Sequence, residues 1–158
     1  MIEAAMMLPV LFLLLFGMVE LAKIGYTYFT IHKMLYTLAR FVGTQQGVNF
    51  CDDTDPLLVA AKNLAVTGTA DGSADPLVGG LTAEMISVRI ERYSPETEEV
   101  LECLCDVTGC DLSQGGLGPD YIVVSIPDGY PIRFTVPFMA QLDPIPLRPM
   151  VRLPFGGL

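Results

Sequence analysis

The chain has 158 residues, 51% of them apolar and 17% charged, with a formal net charge of −9 and a mean hydropathy of +0.48. That length suits one domain with an appendage, and the composition excludes a disordered chain, a coiled coil and a collagen-like chain. Charge is divided unevenly: residues 1–43 carry a net +1, while residues 44–158 hold six bases against sixteen acids. So acidic a remainder argues against nucleic acid as a partner, because that affinity comes mainly from clustered Lys and Arg.

The first predicted element is one long helix over residues 3–43. Ala4–Val19 is a run of sixteen uncharged residues, no proline occurs between residues 10 and 42, and Gly43, Thr44 and Gly47 supply a stop. About 40 residues at 1.5 Å each span roughly 60 Å, about twice the hydrocarbon thickness of a bilayer. The second half of the helix must therefore leave the membrane. Pro9 removes one backbone hydrogen bond and is expected to kink or loosen the helix. Beyond Glu20, apolar residues such as Leu21, Ile24, Tyr28, Leu35 and Phe41 continue on most faces, so the helix calls for partners on several sides.

A cleaved signal peptide needs a basic start and a small-residue cleavage site, and only Met1, Ile2 and Glu3 precede the apolar run. A plain anchor needs a basic cytoplasmic flank, yet Lys23, Lys33 and Arg40 all lie on the other side. The charge pattern favours a processed chain, its basic leader removed, with the mature protein starting at or near Met1.

Asp55-Pro56 predicts a second helix, Asp as N-cap and Pro at its first position, running to about Val66 and stopping near Gly68. Residues 67–80 read as a loop. Strand candidates follow at Met85–Arg92, which alternates apolar and polar, and at Val100–Cys105, Tyr121–Ile126 and Ile132–Phe138. Ser94-Pro95-Glu96 suits a hairpin turn, and Asp106–Pro119 reads as a long glycine-rich loop. Pro137, Pro144, Pro146, Pro149 and Pro154 predict an extended C-terminal segment. The fold class expected is α+β: a long protruding N-terminal apolar helix, then a small domain with one short helix and an antiparallel β-sheet. Three parts are expected: the helix (1–43), an acidic globular domain (44–136) and the proline-rich segment (137–158).

Four cysteines, Cys51, Cys103, Cys105 and Cys110, are an even number in a domain that reads as exported, so disulfides are expected. Cys103 and Cys105 share a strand face and bridge each other poorly. One of them is expected to pair with Cys51 and the other with Cys110. A zinc site is disfavoured because paired C-x-x-C knuckles are missing. The aspartates at 52, 53 and 55, and those at 106, 111 and 120, do not match EF-hand spacing and read as solvated acidic loops. His32, the one histidine, reads as structural. With no nucleophile–base arrangement, P-loop or Rossmann motif, no enzyme activity, metal or cofactor is expected.

The N-terminal segment resembles the TadE-like family, pilin-like proteins of the tight-adherence branch of type IV pili. Glu3, Leu8-Pro9, Gly17, Glu20, Lys23 and Ala39-Arg40 occupy the places of that family's pattern. The acid stands third here, where such mature chains usually carry it fifth. The resemblance covers residues 1–43. It implies a structural pilin-like subunit of an extracellular filament, held in the inner membrane before assembly, with identical or related pilin subunits as partners. The assembly residues it implies are Glu3, Pro9, Gly17, Glu20 and Lys23. Glu3 would meet a neighbour's N-terminal ammonium, and Glu20 and Lys23 would pair within or between subunits. The alternative expectation is a monomeric membrane-anchored envelope protein whose acidic domain binds a partner.

Overall fold

The computed structural model describes residues 2–45, 47–103, 117–134 and 144–156, with side chains from Met7 onward. Helix α1 runs from Ile2 to Val42, α2 from Pro56 to Thr67, and a short 3-10 turn covers Ala83–Met85. The strands are β1 (Ser87–Ser94), β2 (Glu99–Glu102), β3 (Tyr121–Ser125), β4 (Tyr130–Ile132), β5 (Ile145–Leu147) and β6 (Met150–Pro154). The architecture is α+β with antiparallel pairing in both sheets.

Helix α1 stays continuous through Pro9, so the loosening expected there does not break it. Proline removes the one N–H that would bond residue 5, and the other bonds of the helix carry the chain past it. Helix α2 starts as its sequence predicts: the Asp55 carboxylate accepts from the N–H groups of Leu57 and Leu58 at 2.8 and 3.1 Å, and Pro56 needs no donor there. It ends at Gly68, whose φ of 81° is a left-handed cap.

The main sheet has the order β2-β1-β3-β6. Its registers align Val88, Val124 and Val151 in one row and Ile90, Ile122 and Leu153 in the next. Because side chains alternate along a strand, both rows point to one face. Ile31, Leu35, Leu38 and Val42 of α1 and Leu58, Ala61 and Ala65 of α2 join the same buried cluster. The second half of α1 is thus a structural member of the body, against β3, β6 and α2.

Strands β4 and β5 form a separate two-stranded sheet. The Ile126-Pro127-Asp128-Gly129 turn leads from β3 into β4, with the Gly129 N–H bonding the Ile126 carbonyl and φ at 82°. A side chain at 129 would also meet Pro146 at 2.7 Å, so glycine is required by both backbone and space. In the C-terminal segment, β6 takes an edge position where proline is tolerated. Arg152 of β6 forms an ion pair with Glu91 at 2.7 Å and lies over the Tyr121 ring at 4.1 Å.

Candidate functional site

The outstanding surface is α1 itself. From Met7 to Leu21 its large apolar side chains are exposed on every face, with Leu11, Leu14 and Val19 all more than half exposed. A Cβ at Gly17 or Gly25 would meet nothing, so neither glycine serves close packing within the chain. Among the described residues, α1 is the one helix long and apolar enough to cross a membrane. Phe12 and Phe16 stack at 6.3 Å, one turn apart on this free stretch.

Glu20 interrupts the pattern. It is only 5% exposed although Val19 and Leu21 beside it are 58% and 69% exposed. Lys23 sits one turn further, its Nζ 3.9 Å from the Glu20 carboxylate, and it donates to the Arg133 carbonyl at 2.9 Å. Lysine suits this place because its long stem reaches the body while its ammonium stays half in water. The pair therefore marks the level at which the body meets the helix. Thr27, Gly79, Gly80 and Tyr130 line a shallow cleft beside it, and the Tyr130 hydroxyl donates to the Gly79 carbonyl at 2.6 Å. Replacing Lys23 with Met removes this donor from the Arg133 carbonyl and this cation from beside Glu20. Because Lys23 is half exposed, the expected loss is about 1 kcal/mol, read as a lower unfolding midpoint in detergent. An unchanged midpoint would show that the link carries no stability.

The expected site residues fall in separate places. Glu20 and Lys23 are brought together; Pro9 and Gly17 stand apart from them on the free stretch of α1. Of Glu3 the structure describes only its place in the helix. Cys51 and Cys103 are both disulfide-bonded, while Cys105 and Cys110 lie outside the described residues. His32 stacks on Tyr28 at 6.2 Å.

The acidic loop before α2 is occupied locally. Thr54 donates to Asp52 from both hydroxyl and amide, which holds the Asp52 carboxyl below the usual carboxylate range. The Ser73 amide and hydroxyl do the same for Asp71. Asp55 caps α2, and Asp53 takes a 3.1 Å bond from Lys62. Among the described residues no three His, Cys, Asp or Glu side chains are grouped to hold a metal.

Two features escaped the sequence reading. Lys62 is buried on α2, paired with the exposed Asp53; its spacing from Leu58 and Ala65 put it on the inward face all along. The other is a row on the outer side of α1, Tyr26, Phe29, Lys33, Tyr36 and Arg40, all exposed. Its 3-4-3-4 spacing was legible but was obscured by the apolar residues around it.

The described chain thus combines a membrane-length helix, naked on all sides at its start, with a small α+β body into whose core the end of that helix is built. A family model for TadE-like proteins matches residues 1–40. The match lies on α1 and includes Leu8-Pro9, Gly17, Glu20, Lys23 and Ala39-Arg40, so the similarity is confined to the helix. Comparisons with curated proteins and with solved structures return no match.

Proposed function

We propose that this chain is a structural subunit of an extracellular pilus-like filament of the tight-adherence type, with assembly as its activity. Before assembly its helix lies in the inner membrane, and its partners in the filament are identical or related pilin subunits. The observation that carries this reading is the bare apolar surface of α1, exposed on every face from Met7 to Leu21 and continuing in exposed large apolar side chains to Phe41, about 51 Å along the axis against the roughly 30 Å of a bilayer's hydrocarbon. Exposed apolar surface on that scale calls for a partner, and neighbouring helices packed along a filament supply one on several sides. The TadE-like match over the same residues supports it.

Within this reading Glu3, Pro9, Gly17, Glu20 and Lys23 are the assembly residues. A carboxylate in an apolar bundle is costly unless paired, and a neighbour's N-terminal ammonium is the fitting partner for Glu3. The Glu3→Ala variant is expected to keep a folded body and to lose most filaments. The test is negative-stain microscopy of material sheared from cells expressing either form, with mass spectrometry to identify the chain. Normal filament yield from the variant would remove Glu3 from the mechanism. Recovery of the unmodified chain only as a membrane-bound monomer would favour the single-anchor alternative.

A further inference from the structure

The row on the outer side of α1 carries more than apolar contact. Tyr26, Phe29, Lys33, Tyr36 and Arg40 fall within an arc of about 80° over about 21 Å. Tyr26 and Phe29 are 76% and 73% exposed, and Ile31, Leu35, Leu38 and Val42 turn the opposite side into the body. Lys33 and Arg40, two turns apart, form no ion pair among the described residues. A lipid surface does not fit this row. Lys33 and Arg40 stand about 20 and 30 Å beyond Glu20 along the axis, past any headgroup layer that meets the apolar run at Glu20.

Among the described residues, the β1–β2 hairpin offers a surface complementary to it. Most other acids are already engaged: Asp52 and Asp71 in local turns, Asp53 with Lys62, Asp55 in the α2 cap, Glu91 with Arg152 and Glu102 with Arg89. Glu96, Glu98 and Glu99 cluster on the β1–β2 hairpin, exposed and without an ion pair among the described residues. Tyr93, Val100 and Leu101 of the same hairpin are exposed apolar side chains. Glu98 keeps a φ of 56°, a backbone position where glycine or asparagine costs less. Strand β2 lies at the edge of the sheet remote from β3 and β6, the strands that α1 touches. The hairpin therefore projects away from its own helix.

We propose that the outer row of α1 receives the β1–β2 hairpin of a second copy of this chain, Lys33 and Arg40 meeting Glu96, Glu98 and Glu99 while the aromatics cover Tyr93 and Val100, which are paired on one face of the hairpin. The inference rests on the filament reading and names the surfaces that meet in it. Two different patches in contact make a head-to-tail interface, which propagates into an open assembly unless it closes into a ring.

The test uses the full chain in cells that assemble it. A photo-reactive phenylalanine analogue at Phe29 is expected to cross-link to residues 93–101 of another copy. The K33E/R40E and E96K/E99K variants are each expected to lower filament yield about tenfold, and the four changes together to restore most of it, because opposed charges then face each other again. Cross-links that map to another copy's helix, or charge pairs that fail to rescue although each variant reaches the membrane at normal level, overturn the hairpin contact and leave the filament reading standing. Absence of filaments from the unmodified chain overturns both.

Discussion

A chain shortened to residues 25–158 is expected to fold, and one shortened to residues 43–158 is not. The stretch removed in the first case is the exposed part of α1, whose side chains touch little of the body apart from Glu20 and Lys23. The second deletion also takes Ile31, Leu35, Leu38, Ala39 and Val42, all buried in the common core. At about 1.5–3 kcal/mol for each large aliphatic side chain buried, the four larger ones contribute about 6–12 kcal/mol, comparable with the whole stability of a domain, about 5–15 kcal/mol. Sheet residues Ile122, Val124 and Val151 would also face water. Circular dichroism and urea unfolding of the two fragments check this. A cooperative transition from residues 43–158 would show that α1 is an appendage rather than a core element.

The second large effect is expected on reduction. Cys51 sits in the loop joining α1 to α2, and Cys103 directly follows β2, its N–H bonded to the Ile90 carbonyl. Both are disulfide-bonded, so these crosslinks constrain a small body whose core is shared with a protruding helix. We expect two bonds in all and no labelling by a thiol reagent before reduction. Each bond is expected to contribute about 2–4 kcal/mol, so dithiothreitol should unfold the body or lower its midpoint sharply. Labelling of Cys51 or Cys103 in oxidised, folded protein would contradict this.

Much of the fold was legible because local chemistry specifies it. The apolar run and the absence of proline after Pro9 set α1; Asp55, Pro56 and Gly68 set both ends of α2; alternation along Val88, Ile90 and Glu91 set β1. Strand order was not legible, because period-two patterning gives a buried face but no neighbour. The candidate Ile132–Phe138 illustrates the limit. The described strand is Tyr130–Ile132, with Pro131 inside it, placed by its pairing with Ile145–Leu147; residues 135–138 lie outside the described residues. Glu20 and Lys23 were legible as a pair, since they stand one turn apart. The burial of Glu20 and the Lys23 bond to Arg133, 110 residues away, depend on tertiary structure alone. Lys62 was missed for a similar reason: lysine is rarely buried unless paired, and its partner Asp53 comes from the preceding loop.

The central claim is that the bare first half of α1, Met7 to Leu21, is buried among the helices of other copies. Cryo-electron microscopy of filaments sheared from the cell surface tests it most directly. The account predicts a helical reconstruction in which the exposed part of α1, up to about Leu21, lines the filament core with the acidic body outside. Filaments that lack this chain, with the protein found only as single copies whose α1 is surrounded by lipid, would contradict it.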